Sequence, residues 1–384
     1  MLVTVIAGIS LAAWIALWGW RSAYWRADQR LTRTPAPPAW PAVCAIIPAR
    51  NEADHIAAVI GAHMASAYPG AFSIVLADDQ SGDGTAERAR AAAASASKSA
   101  RRLEIVSVPD LPAGWTGKLW AMENAVARAR EISPDAAYYL FTDADIVHAP
   151  QTLAALVAKA EYKQLALVSL MARLDARGAW GALLIPAFIY FFQKLYPFRA
   201  ANSEWRTLAA AAGGCMLIHR ETYEETGGVG AIRSSLIDDC ALARQIKTAA
   251  PIWIGLADGD VVSRRDNRSF SSVWKMVSRT AFTQLDYSWA ALAGTVLAMG
   301  VIYIVPPLVA LTAPFTEYNL AGWLALAAWG LMTLTYAPTA RLYGQPFWRW
   351  PALPVAGALY TAMTIGSGLA HARGKGGLWK GRRY

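Results

Sequence analysis

The chain has 384 residues, of which 55% are hydrophobic and 16% are charged, and its formal net charge is +9. This hydrophobic share exceeds the roughly 45–50% of ordinary soluble domains, and the excess lies at the two ends of the chain. The composition therefore excludes an ordinary soluble protein. Because most of the positive charge lies beside apolar segments, we expect a membrane with anionic lipid headgroups as the partner, and no nucleic acid.

The first predicted element is a transmembrane anchor over residues 1–22. Residues 1–20 carry no charged side chain and are about long enough to span a bilayer once. A cleaved signal peptide is the alternative, but its basic residues would precede the apolar core. Here they follow it, at Arg21, Arg26, Arg30 and Arg33. The positive-inside rule then places the following domain in the cytoplasm, on the inner membrane of a cell.

A basic, proline-rich linker over residues 23–41 leads to a predicted α/β domain over residues 42–286. Short apolar segments typical of buried strands alternate there with helical patterns. We predict strands at 42–48, 72–77, 103–108 and 138–142, and helices from Asn51 onward, at 85–97 and at 119–131. This alternation predicts a mainly parallel sheet with helices on both faces. Ligands of such sheets bind beyond the carboxyl ends of the strands.

Acidic and polar residues follow three of these predicted strands. They are Pro48, Arg50, Asn51 and Glu52 after the first, Asp79, Ser81 and Asp83 after the second, and Asp143 and Asp145 after the fourth. Carboxylates gathered at one sheet edge would repel one another, and a divalent cation would relieve the repulsion. Oxygen ligands suit Mg²⁺ or Mn²⁺. Since Asp143 and Asp145 alternate along an extended segment, both can face one metal ion; taken singly, each cluster is also compatible with a solvated loop.

Three further segments carry candidate site residues. Lys118 lies in a glycine-bounded loop before a helix, as a counter-charge to a diphosphate or as an ordinary surface lysine. Gly213 and Gly214 belong to a small-residue segment where the backbone could approach a substrate closely. Asp238 and Asp239 open a predicted helix, where they either favour the positive end of its dipole or include a general base. The spacing leaves both interpretations open.

An uncharged segment at 179–193 interrupts the α/β domain. At about 1.5 Å per residue it is too short for roughly 30 Å of hydrocarbon, and a crossing would separate Asp143 from Asp239. We therefore predict, over residues 179–196, either an interfacial helix or a buried core helix. An interfacial helix would admit a hydrophobic acceptor.

Residues 287–371 form a predicted C-terminal transmembrane region with three apolar segments, followed by a basic tail at 372–384. Three complete crossings from the cytoplasm would place this tail outside, which conflicts with the positive-inside rule. Either one of the three segments is re-entrant or interfacial, or the tail breaks the rule.

Together these residues resemble family 2 glycosyltransferases, which have a GT-A fold. The motifs IIPARNE, ADDQSGDGT, FTDAD, GGCMLIHR and IDDC occur in the family's order, and GWTGKLWA and the closing WKGRRY are similar to the hopanoid-associated HpnB subgroup. The resemblance implies that Glu52 and Asp79 contact the nucleoside and that Asp143 lies by the ribose and diphosphate. It also implies that Asp145 binds the metal and that Asp239 is the general base.

The family's Gln-x-x-Arg-Trp motif is absent, and the segment Ser272–Arg279 takes its place, so the resemblance implies an acceptor role for Trp274 or Arg279. The implied activity is inverting transfer of a sugar from a nucleotide sugar, expected to be a UDP-sugar, to a lipid-like acceptor at the cytoplasmic face. A hopanoid, sphingoid or polyprenyl alcohol would serve as acceptor. The alternative is a catalytically silent, nucleotide-sugar-binding membrane scaffold. The oligomeric state does not follow from the sequence.

Overall fold

The computed structural model describes residues 1–96, 101–317, 319–374 and 376. Most of the predicted basic tail, including the closing motif WKGRRY, lies outside the described residues. Apolar helices at both ends of the chain flank an α/β domain, which confirms the predicted fold class. The strands are β1 Ala42–Ala49, β2 Phe72–Asp78, β3 Arg102–Ser107, β4 Ala136–Phe141, β5 Ile146–His148, β6 Leu167–Met171, β7 Met216–His219, β8 Ile252–Leu256 and β9 Val261–Ser263.

The helices follow the apolar patterns of the sequence. They are α1 Leu2–Gly19, α2 Ile56–Met64, α3 Thr85–Ser95, α4 Gly117–Ile132, α5 Thr152–Lys163, α6 Gly178–Leu195, α7 Phe198–Ala201, α8 Arg220–Glu225, α9 Asp238–Lys247, α10 Phe270–Ser278, α11 Trp289–Met299, α12 Val305–Thr312, α13 Asn319–Leu342 and α14 Leu353–Ala372. A π-helical turn, Gly300–Ile304, joins α11 to α12, and 3₁₀ turns at Ala313–Phe315 and Phe347–Ala352 follow α12 and precede α14.

Seven strands form one sheet in the order β3-β2-β1-β4-β7-β6-β8, in which only β7 pairs antiparallel to its neighbours. A separate antiparallel pair, β5 with β9, lies next to it. In β1, Val43, Ala45 and Ile47 pack against one layer of helices, whereas Cys44 and Ile46 pack against the other. Both faces are covered, so the strand is apolar throughout.

The second helix begins later than the sequence pattern indicates. We expected it from Asn51 onward, but α2 begins at Ile56. Asn51 has a φ of 51°, in the left-handed region, so the chain turns there before the helix can start. The residues between the two positions form a loop that contacts the loop after β2, as described below.

Helix α6 corresponds to the segment predicted at 179–196, and our argument from its length is wrong. With α7 it forms a helical segment, Gly178–Ala201, of 24 residues, which is long and apolar enough to cross a membrane. The strands on either side of it, β6 and β7, nevertheless pair directly in one sheet, so the chain enters and leaves α6 on the same side. Its side chains pack against α13 and α14: Tyr190 Oη lies 2.9 Å from Thr335 Oγ1, and Tyr360 Oη donates to Leu184 O.

Four other helical segments are long and apolar enough to cross a membrane: Leu2–Gly19, Trp289–Phe315, Asn319–Leu342 and Phe347–Ala372. Together with α6 and α10 they form one apolar cluster that adjoins the seven-stranded sheet at β6 and β8. The apolar ends of the chain are therefore packed directly onto the α/β domain.

Candidate active site

A cavity of about 290 Å³ lies beyond the carboxyl ends of β1 and β4. One part of it is charged, and its lining includes Glu52, Lys118, Asp143, Asp145, Asp238, Asp239 and Arg265. The other part is apolar and is lined by Phe188 and Phe192 of α6 and by Met276 of α10. Of the three acidic clusters predicted to meet, those after β1 and β4 line this cavity and the one after β2 does not; Asp238 and Asp239 of α9 join them.

Lys118 is held between two carboxylates at the centre of the charged part. Its Nζ lies 2.9 Å from Asp143 Oδ1 and 2.9 Å from Asp238 Oδ2, so it is not an ordinary surface lysine. Burial alone would lower the pKa of Lys118, but the two carboxylates outweigh it and raise the pKa above its usual value. Burial likewise opposes ionisation of Asp143, yet Lys118 holds the Asp143 pKa below its usual value, so both groups stay charged.

Asp239 stands at the first turn of α9 in a different environment. Its Oδ2 accepts a hydrogen bond of 2.9 Å from the backbone N–H of Gly213, and its Oδ1 accepts one from the N–H of Cys240. Burial, and then the neighbouring negative charge of Asp238, raise the pKa of Asp239 to about 6. A carboxylate with such a pKa accepts a proton near neutral pH far better than an ordinary one.

Gly213 allows this arrangement because it has no side chain. A Cβ atom at position 213 would lie 3.2 Å from Lys118 Nζ and 3.5 Å from Asp239 Oδ2. The predicted close approach of the backbone is therefore present, although the groups that approach are the lysine and the carboxylate. Gly214, the next residue, also lines the cavity and lies against Ile146.

Arg265 is the main cavity residue that sequence reasoning missed. Its Nε donates to Asp145 Oδ2 at 3.2 Å and its Nη2 donates to Glu52 Oε1 at 3.2 Å, while Ser263 Oγ also donates to Asp145 Oδ2. The pairing of β5 with β9 brings Ser263 and Arg265 to Asp145 from more than a hundred residues away along the chain. The sequence feature that could have indicated Arg265 was a pair of arginines directly after a short apolar segment.

Several residues predicted to bind the donor do not line the cavity. Their hydrogen bonds connect the loop after β1 to the loop after β2. Asn51 N–H donates to Ser81 Oγ, Ala53 N–H donates to Asp83 Oδ2, and Thr85 N–H donates to Asp83 Oδ1. These hydrogen bonds outweigh partial burial and keep the pKa of Asp83 below its usual value. The loops after β1 and β2 are thereby fixed to each other at the rim of the site.

Asp79 lies just behind the cavity wall and is completely buried. Arg50, which lines the cavity together with Pro48, donates to the backbone oxygen of Asp79 at 2.7 Å and lies 3.5 Å from its carboxylate. A nucleoside would reach Asp79 only after Arg50 or its loop moved. The structure thus brings Asp145 and Asp239 into one cavity and places Asp79 one residue behind it.

The two candidate acceptor residues of α10 and its C-terminus have different surroundings. Arg279 lines the cavity beside Met276. Trp274 instead packs against Phe270, with 5.5 Å between ring centroids, and against Gly366 of α14. Trp274 is outside the set of residues that line the cavity, so of the two only Arg279 is placed to meet a ligand there.

The carboxylates of the cavity have oxygen atoms to offer a divalent cation. Within the described part of the chain, no cluster of three or more His, Cys, Asp or Glu side chains is arranged around one metal position. Both side-chain hydrogen bonds to Asp145 end on Oδ2, and the ion pair of Asp143 with Lys118 uses Oδ1, so one oxygen of each remains. Mg²⁺ and Mn²⁺ are often bound by one or two carboxylates together with phosphate oxygens, and these two residues fit that arrangement.

The expected repulsion among the carboxylates is already reduced by protein cations. Lys118 pairs with Asp143 and Asp238, and Arg265 pairs with Glu52 and Asp145, so two cations are shared among four carboxylates. These two cations thus offset part of the repulsion that a divalent cation is expected to relieve.

Comparison with solved structures finds a mannosyltransferase, PcManGT from Pyrobaculum calidifontis, in complex with GDP-Man and Mn²⁺. It is 20% identical, the match covers 96% of this chain and 99% of that chain, and the TM-score is 0.57. Mannosyl-3-phosphoglycerate synthase from Rubrobacter xylanophilus is 21% identical over 64% of this chain and 75% of its own, with a TM-score of 0.38. Glucosyl-3-phosphoglycerate synthase from Mycobacterium tuberculosis is 18% identical over 64% and 80%, with a TM-score of 0.41.

The comparison with curated proteins gives no match. The first of the structural matches extends over the α/β domain and the apolar helices alike, and at this identity it establishes the GT-A-like fold. The family model described as "Glycosyltransferase like family 2" matches residues 41–283, which is more than half of the chain. The protein therefore belongs to glycosyltransferase family 2.

Proposed function

We propose that the protein transfers a sugar from a nucleotide sugar to a lipid-like acceptor at the cytoplasmic face of the inner membrane, with inversion at the anomeric carbon. One observation carries the proposal: a single cavity joins Asp239, Asp143 and Asp145 to an apolar surface from α6 and α10. A polar donor and an apolar acceptor need such a cavity to meet.

The donor would occupy the charged part of the cavity. Lys118, Arg265 and Arg50 line it and supply positive charge for a diphosphate, which supports a nucleotide-sugar donor. The complex of PcManGT with GDP-Man and Mn²⁺ supports the same class of donor and metal. The sequence motifs led us to expect a UDP-sugar, and both UDP- and GDP-sugars belong in the test.

The proposed reaction is a single in-line displacement. Asp239 accepts the proton of the acceptor hydroxyl as the acceptor oxygen bonds to the anomeric carbon, while the bond from that carbon to the diphosphate breaks and the nucleoside diphosphate leaves. Asp239 is preferred to Asp238 as the base because Asp238 is paired with Lys118, whereas Asp239 accepts only backbone hydrogen bonds and has a raised pKa.

Lys118 and a bound divalent cation would stabilise the negative charge of the transition state. Lys118, fixed by two ion pairs, stabilises negative charge that develops on the departing diphosphate. Mg²⁺ or Mn²⁺, held by Asp145 and Asp143, would supply further positive charge to the diphosphate when bound.

The acceptor would enter through the apolar part of the cavity. Phe188 and Phe192 belong to a helix that packs among the apolar C-terminal helices, so the cavity is continuous with the apolar cluster. This supports an acceptor with a hydrocarbon body and a hydroxyl group, in the class of hopanoid, sphingoid or polyprenyl alcohols. The hopanoid member of this class rests on the sequence resemblance.

Turnover with purified protein tests the proposal. The protein in detergent would be incubated with Mn²⁺, with UDP- or GDP-sugars and with a lipid extract, and the products would be followed by mass spectrometry and by nucleoside diphosphate release. We expect a lipid whose mass increases by one sugar, formed only when lipid and donor are both present. Binding of nucleotide sugar without such a product under any donor would support the scaffold alternative instead.

A further inference from the structure

We propose that Arg265 is a donor-site latch: it holds Glu52 and Asp145 while the site is empty and moves to the diphosphate of a bound nucleotide. The proposal rests on the proposed function only in that the cavity binds a nucleoside diphosphate; it does not require that a sugar be transferred.

The geometry of Arg265 is that of a bridge between two separate chain segments. Single hydrogen bonds of 3.2 Å run from Nε to Asp145 and from Nη2 to Glu52. A guanidinium has five N–H donors, so three remain for a ligand. The side chains of Glu52 and Asp145 are each 8% exposed, whereas that of Arg265 is 45% exposed and lines the cavity. The carboxylates are thus buried and the cation over them is accessible.

Two buried carboxylates require a cation when no ligand is present, because an unpaired buried charge is strongly unfavourable. Arg265 is better placed to leave than the other ion-paired cations of the cavity. The side chain of Lys118 is 20% exposed and fixed between two carboxylates, and that of Arg50 is 19% exposed and tied to Asp79. A metal bound at Asp145 would take over the role of Arg265 and free its guanidinium for the phosphate oxygens.

Replacing Arg265 should therefore weaken the binding of nucleotide and strengthen the binding of Mn²⁺. In Arg265→Ala, UDP or GDP should bind roughly tenfold to hundredfold more weakly in the presence of Mn²⁺, because a charge-assisted hydrogen bond is lost. Mn²⁺ alone should bind more tightly, because Asp145 no longer has a competing cation. Arg265→Lys should lie between the wild type and Arg265→Ala, since lysine keeps the positive charge but lacks the planar set of five donors of the guanidinium.

The measurements are titration calorimetry with UDP and GDP, and electron paramagnetic resonance of free Mn²⁺ without nucleotide. Arg264→Ala is the matched control: it removes a neighbouring exposed arginine and should change neither affinity. Unchanged nucleotide and Mn²⁺ affinities in Arg265→Ala, with unchanged thermal unfolding, would overturn the latch. A wild-type protein that binds neither nucleotide overturns both proposals, whereas one that binds them without transferring sugar overturns the proposed function alone.

A separate observation concerns the last apolar helix. We infer that α14 is re-entrant, so that the chain both enters and leaves this segment on the side of the catalytic domain. Before this segment begins, the ring of Tyr343, directly after α13, lies under the guanidinium of Arg173. The Tyr343 hydroxyl accepts a hydrogen bond of 3.4 Å from Leu174 N–H. Arg173 is bonded through its backbone to Val261 of β9, so the end of α13 touches the catalytic domain.

The far end of α14 touches the same domain. Ser367 Oγ accepts from Phe282 N–H at 3.1 Å and donates to Ser278 O, and the ring of His371 stacks on Tyr287 at 4.6 Å. Residues 278–287 connect α10, which lines the cavity, to the start of α11. Between its two ends the segment descends along α13, because Trp329 Nε1 donates to Pro351 O about 20 Å from the end of that helix.

This arrangement resolves the conflict with the positive-inside rule. The helices Leu2–Gly19, Trp289–Phe315 and Asn319–Leu342 would cross the membrane, and the segment containing α14 would not. After the catalytic domain, Trp289–Phe315 takes the chain across the membrane and Asn319–Leu342 returns it to the side of the domain, where the arginines after α1 also lie. Arg373, directly after α14, is then on the side that the rule requires.

Labelling of single cysteines from each side of sealed membrane vesicles tests the topology. The native thiols Cys44, Cys215 and Cys240 are buried, so introduced sites can be distinguished. Arg373→Cys should react with a membrane-impermeant maleimide from the same side as Glu87→Cys in the catalytic domain. Glu317→Cys, between α12 and α13, should react from the opposite side. Labelling of Arg373→Cys from the side of Glu317→Cys would overturn the re-entrant assignment.

Discussion

The raised pKa of Asp239 predicts a specific pH dependence of sugar transfer. The carboxylate must be ionised to accept a proton, and its pKa is raised to about 6, so kcat/KM should fall below that pH. One pH unit lower, about a tenth of the protein has the ionised base, and kcat/KM should be about a tenth of its plateau. An ordinary aspartate would give no such decline until about pH 4.

Asp238→Asn removes one of the causes that raise the pKa of Asp239. Burial is the first cause of the raised pKa and the charge of Asp238 is the second. Removing that charge also leaves Lys118 with one carboxylate fewer to neutralise. Both changes favour the ionised form of Asp239, so the decline of kcat/KM should move to lower pH without reaching the ordinary value, since the burial remains.

The assay is initial-rate nucleoside diphosphate release between pH 4.5 and 8, with lipid acceptor present. Asp135→Asn, which alters an exposed carboxyl outside the cavity, is the control and should leave the profile unchanged. A wild-type profile that is flat down to pH 4.5 would refute the assignment of Asp239 as the base. An upward shift of the decline in Asp238→Asn would refute the electrostatic explanation.

Three further predictions concern the residues around the base and the acceptor. Lys118→Met removes the shared cation of two partly buried carboxylates, so denaturant titration at pH 7 should give a free energy of unfolding roughly 1–3 kcal/mol lower, with a smaller loss in acid, where the carboxylates are protonated. Gly213→Ala places a Cβ 3.2 Å from Lys118 Nζ, which two ion pairs hold in place, so kcat should fall by up to roughly 10²-fold while circular dichroism shows an unchanged fold. Phe192→Ser should raise the KM for lipid acceptor and leave nucleotide affinity by calorimetry unchanged; equal effects on both would contradict the division of the cavity.

The sheet, and most of the site residues at the carboxyl ends of its strands, could be predicted from the sequence because local patterns carry that information. Apolar segments followed directly by acidic residues identify strands whose carboxyl ends meet, and Glu52 after β1 and Asp143 and Asp145 after β4 do share one cavity. The parallel order of the strands follows from their alternation with helices. These inferences need only short-range spacing and the general geometry of parallel sheets.

The parts that were missed depend on contacts between distant segments. Arg265 reaches Asp145 only because β5 pairs with β9, and no spacing rule indicates that pairing. In the same way, a motif read as donor-binding contains Ser81 and Asp83, whose side chains join the loops to each other. A sequence motif names the residues near a site, and the fold decides which of them face the ligand.

The number of crossings also could not be obtained from hydropathy. The segments containing α6 and α14 are apolar enough to span a membrane, yet the pairing of β6 with β7 returns the chain after α6. For the segment containing α14, the contacts of Tyr343 before it and of His371 at its end show that the chain enters and leaves it beside the catalytic domain. A helix is apolar whether it is buried in lipid or in protein, so hydropathy alone does not give the number of crossings. The tertiary contacts are needed to assign the topology.

Comparison of Asp239→Asn with the wild type tests the central claim most directly. The amide keeps the shape of the side chain and one oxygen that can accept from the Gly213 N–H. It loses the acceptor for the Cys240 N–H, but it also removes a group whose ionisation opposes folding above about pH 6, so the stability there should change little. Sugar transfer to lipid at pH 7 should fall by roughly 10²–10⁴-fold, with nucleotide affinity by calorimetry unchanged. Transfer at the wild-type rate would contradict the account.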